Sequence, residues 1–299
     1  MKKKILISGR ETAVFIALIL MIVLFTIIDP AYIRLSNLID IIKQATINGI
    51  LAIAITFAII SGGIDLSLGC TFAIVIVAVG ELTVLGFHPV IAILIGALIG
   101  WILGSINGVL VSKMKLQPFI ATLATMSVYR GLAYVTTGGW PILGVPNKYR
   151  HIFTTKIFGS IPISVFVFIA IAIFADILLR KTKYGNQLFA VGGNEEAAKL
   201  SGINVDKVKI IAYSLCGFCI AFAGMIYLAN LGSGEPASGQ GYETDAIAAT
   251  AIGGTRMSGG KGTVLGTVLG ALLLAALKIG LIITGVSTFW QYIVTGIII

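Results

Sequence analysis

"IISGGIDLSLGC" (Ile59–Cys70) holds one carboxylate, Asp65, between two apolar runs. An ionisable group in such a setting is costly to desolvate and is often functional. Ser61-Gly62-Gly63 breaks a helix there, and Asp65 is placed to cap the next one. The stretch reads either as a cap and turn at a helix end or as a discontinuous helix of the kind that lines transport paths. Other polar side chains fall in or beside apolar runs: Asn48, Asn107, Thr122, Glu243 and Asp245, with Gln117, Thr125, Tyr129, Arg130, Asn230, Thr250 and Gln291. Neutral groups dominate, which suits hydrogen-bonded passage of an uncharged polar solute better than ion conduction. Each one also reads as an interhelical hydrogen bond, worth ~0.6 kcal/mol on average. Asn48, Asp65, Asn107, Thr122, Glu243 and Asp245 are the candidate path residues.

Enzymatic chemistry finds no support. "GGKGT" (Gly259–Thr263) fails as a phosphate-binding loop, since Thr255 stands at the first glycine position and Gly262 follows Lys261 in place of Ser or Thr. His88 and His151 are far apart, and Cys216-x-x-Cys219 has no further Cys or His nearby to complete a zinc site. The cysteines read as small buried hydrophobes.

The elements that position these residues are membrane helices. With 58% hydrophobic and 11% charged residues, and a mean hydropathy of +1.04, the chain cannot cover a soluble surface, which needs roughly 25% charge. Its apolar runs are too continuous for barrel strands. The expected fold is all-α and polytopic, a single transmembrane domain over residues 1–299. Ten spans are expected, some short or discontinuous: Ala13–Ile28, Thr46–Ile60, Thr71–Leu85, Val90–Val111, Phe119–Thr137, Ile161–Leu179, Ile210–Ala229, Thr244–Thr255, Thr263–Leu277 and Phe289–Ile299. "MKKK" followed by an apolar run suggests a leader, but Met21–Pro30 has no small-residue cleavage pattern, so the first span is expected to stay. The net charge of +9 sits in short loops. Lys113, Lys115, Arg180, Lys181, Lys183, Lys199, Lys207, Lys209, Arg256 and Lys261 all fall on one side if the N-terminus is cytoplasmic. The outward loops receive Arg34, Lys43 and Lys278, and the 138–160 loop, with Lys148, Arg150 and Lys156, is the main dissent.

On that cytoplasmic side lies "GNEEAAKLSGINVDKVK" (Gly193–Lys209). Asn194 caps a helix start, Glu195 and Glu196 suit its positive end, and Gly202 ends it. Ala197, Leu200 and Ile203 are expected to share its packing face. About two turns long, the helix cannot stand alone in water. It packs either on its own protein or on another.

Gly96, Gly100, Gly104 and Gly108 make consecutive G-x-x-x-G steps, and Gly262, Gly266 and Gly270 repeat them, as tight helix packing requires. "SGGIDLSLG" (Ser61–Gly69) and "SGGKGTVLG" (Ser258–Gly266) echo each other at five positions, each after a span that exits inward; a parallel repeat would produce this.

"ISGGIDLSLG", "INGVLVSKMKLQPFIATLATMSVYRGLA", "GNEEAAKLSGINVDKVK" and "AIAATAIGGTRMSGGKGTVLGTVLGALLL", in this order, resemble the permease subunit of simple-sugar, ribose-type ABC importers. The resemblance implies a second permease copy or a sister permease, a cytoplasmic ATPase subunit that binds ATP and magnesium, and an extracytoplasmic sugar-binding protein. No cofactor is expected in this chain. It also implies that the loop 180–209 couples to the ATPase. Glu196, Ala197, Ala198 and Gly202 match the E-A-A-x-x-x-G core of importer coupling loops, with Asn194 and Glu195 beside them. Ala212 and Leu215 stand where the longer form of that motif has Ile and Pro, so only the core carries over. An ion-coupled transporter would place paired charges at mid-membrane. A branched-chain amino acid permease would share the Gly-Gly-x-Asp-Leu-Ser block. A structural scaffold would not need broken helices.

Overall fold

The computed structural model describes residues 9–157 and 159–298. Lys2, Lys3 and Lys4 of the "MKKK" stretch, and Ile299 of the tenth expected span, lie outside the described residues. Thirteen α-helices run in order among them: α1 (Gly9–Ile28), α2 (Leu35–Ile60), α3 (Leu68–Val84), α4 (Pro89–Ser112), α5 (Pro118–Thr137), α6 (Asn147–Thr154), α7 (Ile163–Lys181), α8 (Lys183–Gly193), α9 (Glu195–Leu200), α10 (Val205–Leu231), α11 (Tyr242–Ile252), α12 (Val264–Ile283) and α13 (Thr288–Ile298). A two-stranded hairpin, β1 (Lys156–Ile157) and β2 (Ile161–Pro162), follows α6. Six helices are long and apolar enough to cross a membrane: α1, α2, α4, α7, α10 and α12. All ten expected spans coincide with helices, but α3 has 17 residues, and α11 and α13 have 11 each. The chain is an all-α, multi-pass membrane protein.

α2 and α10 form the centre. Their apolar side chains are buried nearly all round, from Ile50 to Ile60 and from Ala212 to Ala229, as suits helices enclosed by other helices. α1, α4 and α7 instead leave Leu20, Ile27, Leu94, Ile102, Ile173 and Phe174 exposed, because lipid is the solvent on that side.

Between membrane helices no hydrophobic drive exists, so close backbone approach and hydrogen bonds take its place. The glycine stripe of α4 supplies the first. A Cβ at Gly100 would overlap the Gly217 carbonyl of α10, one at Gly104 the Tyr213 carbonyl, and one at Gly108 would lie 2.7 Å from the Ile210 Cα. Gly266 and Gly270 of α12 meet Gly253 and Ala249 in the same way. Thr56, Thr250 and Thr267 supply the second, joining α2, α11 and α12 at 3.4 and 3.0 Å. Ser105 and Ser214 link α4 to α10 at 2.7 Å.

Three expectations about element limits change. α2 starts eleven residues before the apolar run, at Leu35, where Asp40 and Lys43 pair at 2.9 Å on its polar first turns. The 138–160 loop is partly built: Tyr149 and Phe153 of α6 are buried, and Tyr149 donates to the Met225 carbonyl (3.0 Å). Lys278 lies within α12 rather than in a loop, held there by Asp245.

Gly104→Ala should lower the stability of the detergent-purified protein by about 1–3 kcal/mol, the usual cost of overpacking. Gly131→Ala, on α5 with open space around its Cβ, should be neutral or slightly stabilising. Thermal unfolding followed by circular dichroism reads both.

Candidate functional site

The break after α2 is built as its residues dictate. The Ser61 hydroxyl donates to the Ala58 carbonyl (2.7 Å), Gly62 turns the chain at φ +86°, and Gly63 N–H returns to the Ala58 carbonyl (3.0 Å). Asp65 is 1% exposed. Its Oδ1 accepts from the Ser67 N–H (2.9 Å) and hydroxyl (2.6 Å), so it caps the turn ahead of α3. Asn107 of α4 donates from Nδ2 to both carboxylate oxygens (3.3 Å each) and to Ser67 Oγ (2.7 Å). The Cys216 thiol of α10 faces Oδ2 at 3.9 Å. Every one of these hydrogen-bond partners is neutral. Thr122 of α5 donates to the carbonyl of Ile64 (3.2 Å). Asp65, Asn107 and Thr122 are thus brought together, but with no accessible surface. In this conformation they tie α3, α4, α5 and α10 to the break and line no opening.

Glu243 and Asp245 open α11. Glu243 Oε1 accepts from the Gly241 N–H (3.3 Å), and Asp245 pairs with Lys278. Asn48 lies buried on α2, one turn before Ala52, whose carbonyl accepts from Thr250 of α11 (3.0 Å). The candidate path residues therefore form two groups, which meet where Glu243 Oε2 approaches Gly69 at the start of α3.

Arg130 joins the second group, and its role was not assigned from sequence. From the middle of α5 its Nη1 donates to the carbonyls of Pro236 (2.6 Å) and Ser238 (2.9 Å). These belong to the irregular stretch between α10 and α11, which packs at Gly239 against Gly69 of α3. Irregular backbone at membrane depth needs such partners. A lone arginine within a polar-spotted apolar run was the available signal.

The 180–209 loop differs from expectation in two ways. The loop between α7 and α10 holds two helices, not one. α8 starts at a Thr182 cap that accepts from Gly185 N–H (3.1 Å), and it buries Leu188 and Val191. α9 starts as expected, with Asn194 Oδ1 accepting from Ala197 N–H (2.9 Å), and closes with Gly202 at φ +79°. Its packing face is Ala198, however; Ala197 is exposed and Leu200 is 90% exposed. With under two turns, a tether from Lys209 to Glu195 fixes its rotation. A cleft of about 370 Å³ beside it is lined by Lys115, Glu195, Lys199, Gly202 and Asp206.

The ends of α1, α2, α4, α10 and α12 meet on this face: Glu11 accepts from Thr263 (2.6 Å), Lys115 pairs with Asp206 (2.9 Å), and Gly260 N–H donates to the Ile60 carbonyl (3.0 Å).

A bundle with broken helices, buried polar ties and a capped helix left exposed on one face defines a multi-pass membrane transport subunit. Residues 37–299 match the family described as branched-chain amino acid transport system / permease component, and the chain belongs to that family. It is 42% identical to the ribose import permease protein of Bacillus subtilis over all of this chain and 94% of that one. It is 38% identical to the ribose import permease protein of Escherichia coli K12, over 97% of this chain and 91% of the relative. The galactose/methyl galactoside import permease protein of Escherichia coli K12 is 34% identical, over 100% and 94%. No solved structure matches the chain.

Asp65→Asn should destabilise the protein by about 1–3 kcal/mol, since its amide would face the Asn107 amide donor to donor. Adding Asn107→Asp restores a donor–acceptor pair and should recover most of that loss. A double-mutant cycle on detergent unfolding midpoints reads the coupling.

Proposed function

We propose that this chain is the membrane-spanning permease subunit of an ATP-binding cassette importer for a simple sugar, in a bacterial-type inner membrane. The observation that carries the reading is whole-chain identity to permeases named for ribose and galactose import. The family description names branched-chain amino acids, but the relatives that align along the whole chain are named for sugars.

The face with α8, α9 and ten basic residues is cytoplasmic, by the bias of Lys and Arg toward that side. The N-terminus lies there, and ten crossings return the chain to it. A separate subunit binds ATP and magnesium and docks on α9, where Leu200, Glu196 and Lys199 are free to meet it. An extracytoplasmic protein delivers the sugar, and a second permease copy or a sister subunit completes the path. Nucleotide closes the ATPase pair, α9 moves, and the bundle exchanges two states of differing accessibility. Glu243, Asp245, Arg130 and Lys278 present balanced charge to a neutral polyol, and Asn48 lies beside them on α2. Asp65, Asn107 and Thr122 hold the broken helix in shape while the bundle moves.

The test is co-expression with the genes flanking this one, purification of the complex, and ATP hydrolysis with candidate binding proteins. Stimulation by a ribose- or other sugar-loaded protein is the expected result. Stimulation by a leucine-loaded protein alone would favour the amino acid reading, and uptake that persists without ATP would favour ion coupling.

Leu200→Asp, Glu196→Lys and Gly202→Pro should each cut binding-protein-stimulated hydrolysis about tenfold or more, the loss expected when a hot-spot contact goes. Membrane insertion should be unchanged. Gly202→Pro acts through φ, since proline is locked near −65° where Gly202 needs +79°.

A further inference from the structure

Two stretches echo each other in sequence, Ser61-Gly62-Gly63 and Ser258-Gly259-Gly260, and the structure brings them to one place. A third glycine pair, Gly192-Gly193, sits against both. Gly260 N–H donates to the Ile60 carbonyl (3.0 Å), joining the α11–α12 loop to the last residue of α2. A Cβ at Gly192 would overlap that same carbonyl oxygen and lie 2.7 Å from the Gly260 nitrogen. A Cβ at Gly259 would lie 2.7 Å from the Gly192 oxygen and 2.9 Å from the Gly62 Cα. One at Gly260 would lie 2.7 Å from the Gly193 Cα. Three backbone segments therefore touch with no side chain between them.

The position of this contact matters more than its tightness. Gly193 is followed at once by Asn194, the cap of α9. On the other side, Gly63 packs against the Tyr213 hydroxyl, and two residues later Asp65 grips Asn107 and Cys216. The coupling helix is thus two residues from a backbone-on-backbone joint. That joint leads into the break in α2 and into the turn that starts α12. Side chains at such a contact would absorb displacement by changing rotamer; bare backbone cannot, and packed protein transmits strain.

We infer that the Gly192–Ile60–Gly260 contact is the joint through which displacement of α9 reaches the α2–α3 break and the start of α12. Gly192, Gly259 and Gly260 are positioning residues: they act through the elements they join. The joint rests on the import reading above, since it needs an ATPase subunit to move α9.

The test uses the whole complex of permease, ATPase and sugar-loaded binding protein. Gly192→Ala should reduce binding-protein-stimulated ATP hydrolysis and uptake by about tenfold, within the range of coupling changes produced at a distance from either ligand. Gly193→Ala, whose Cβ meets open space, should stay within about twofold of wild type. A bundle that is merely destabilised would lose assembly, read by size-exclusion chromatography, and would not lose stimulation selectively. Should Gly192→Ala fail to assemble, a second arm decides. Cysteines at Gly193 and Ser258, bridged by a short bis-maleimide in the assembled complex, should leave stimulation intact, because the joint moves as one body. Stimulation blocked by the bridge, or Gly192→Ala working as well as wild type, overturns the proposal. A wild-type complex that no sugar-loaded binding protein stimulates counts instead against the import reading.

Discussion

Backbone N–H and C=O groups buried among packed helices must find their partners within the protein, and this chain leaves its helices at three places where that rule bites. Each departure is answered by a different device. After α2, the freed groups are taken by Ser61, by the turn at Gly62 and by the Asp65 carboxylate. Between α10 and α11, the carbonyls of Pro236 and Ser238 receive the Arg130 guanidinium. Between α11 and α12, the loop closes on itself from Arg256 to Lys261 and borrows the Ile60 carbonyl. Asp65 and Arg130 therefore exist in the bundle because irregular backbone exists there. Their cost is the reason the breaks are so fully tied down.

These ties explain why two charged residues that read as path candidates or stray polar groups do structural duty as well. Asp65 has only neutral partners, and its carboxyl group is held by hydrogen bonds from Ser67 and Asn107. Any conformational change that separated α4 from the break would strip the Asn107 bonds and leave only those from Ser67. Because α4 is also locked to α10 by backbone contact at Gly100 and Gly104, α4, α10 and the start of α3 are bound to move together.

The sequence made the bundle legible because apolar runs locate helices whether or not they are long enough to cross. It also placed the Asn194 cap, the Gly202 stop and the helix-packing glycines, all of which are local geometry. It hid α8, whose "KYGNQLFAVGG" is glycine-rich and weakly helical; Thr182 and the burial of Leu188 and Val191 make it a helix. It misplaced the packing face of α9, because periodicity over six residues cannot fix a rotation that a distant lysine, Lys209, sets instead. It could not pair Lys278 with Asp245 or Arg130 with Pro236, since partners separated by 33 and 106 positions are joined only by topology.

The echo between Ser61–Gly69 and Ser258–Gly266 gains a physical sense from the same constraint. Both stretches end a helix and begin another on the face that carries α9, and both must approach foreign backbone without a side chain in the way. Such a position demands glycine twice in a row: one to turn at positive φ, as at Gly62 and Gly259, and one to let the neighbouring segment close in, as at Gly63 against Tyr213 and Gly260 against Gly193. Similar local demands produce similar sequence even where the following residues diverge, with Asp65 capping one turn and Thr263 capping α12 through the Gly266 N–H. The resemblance between the two blocks is therefore accounted for by what each backbone must do at the joint.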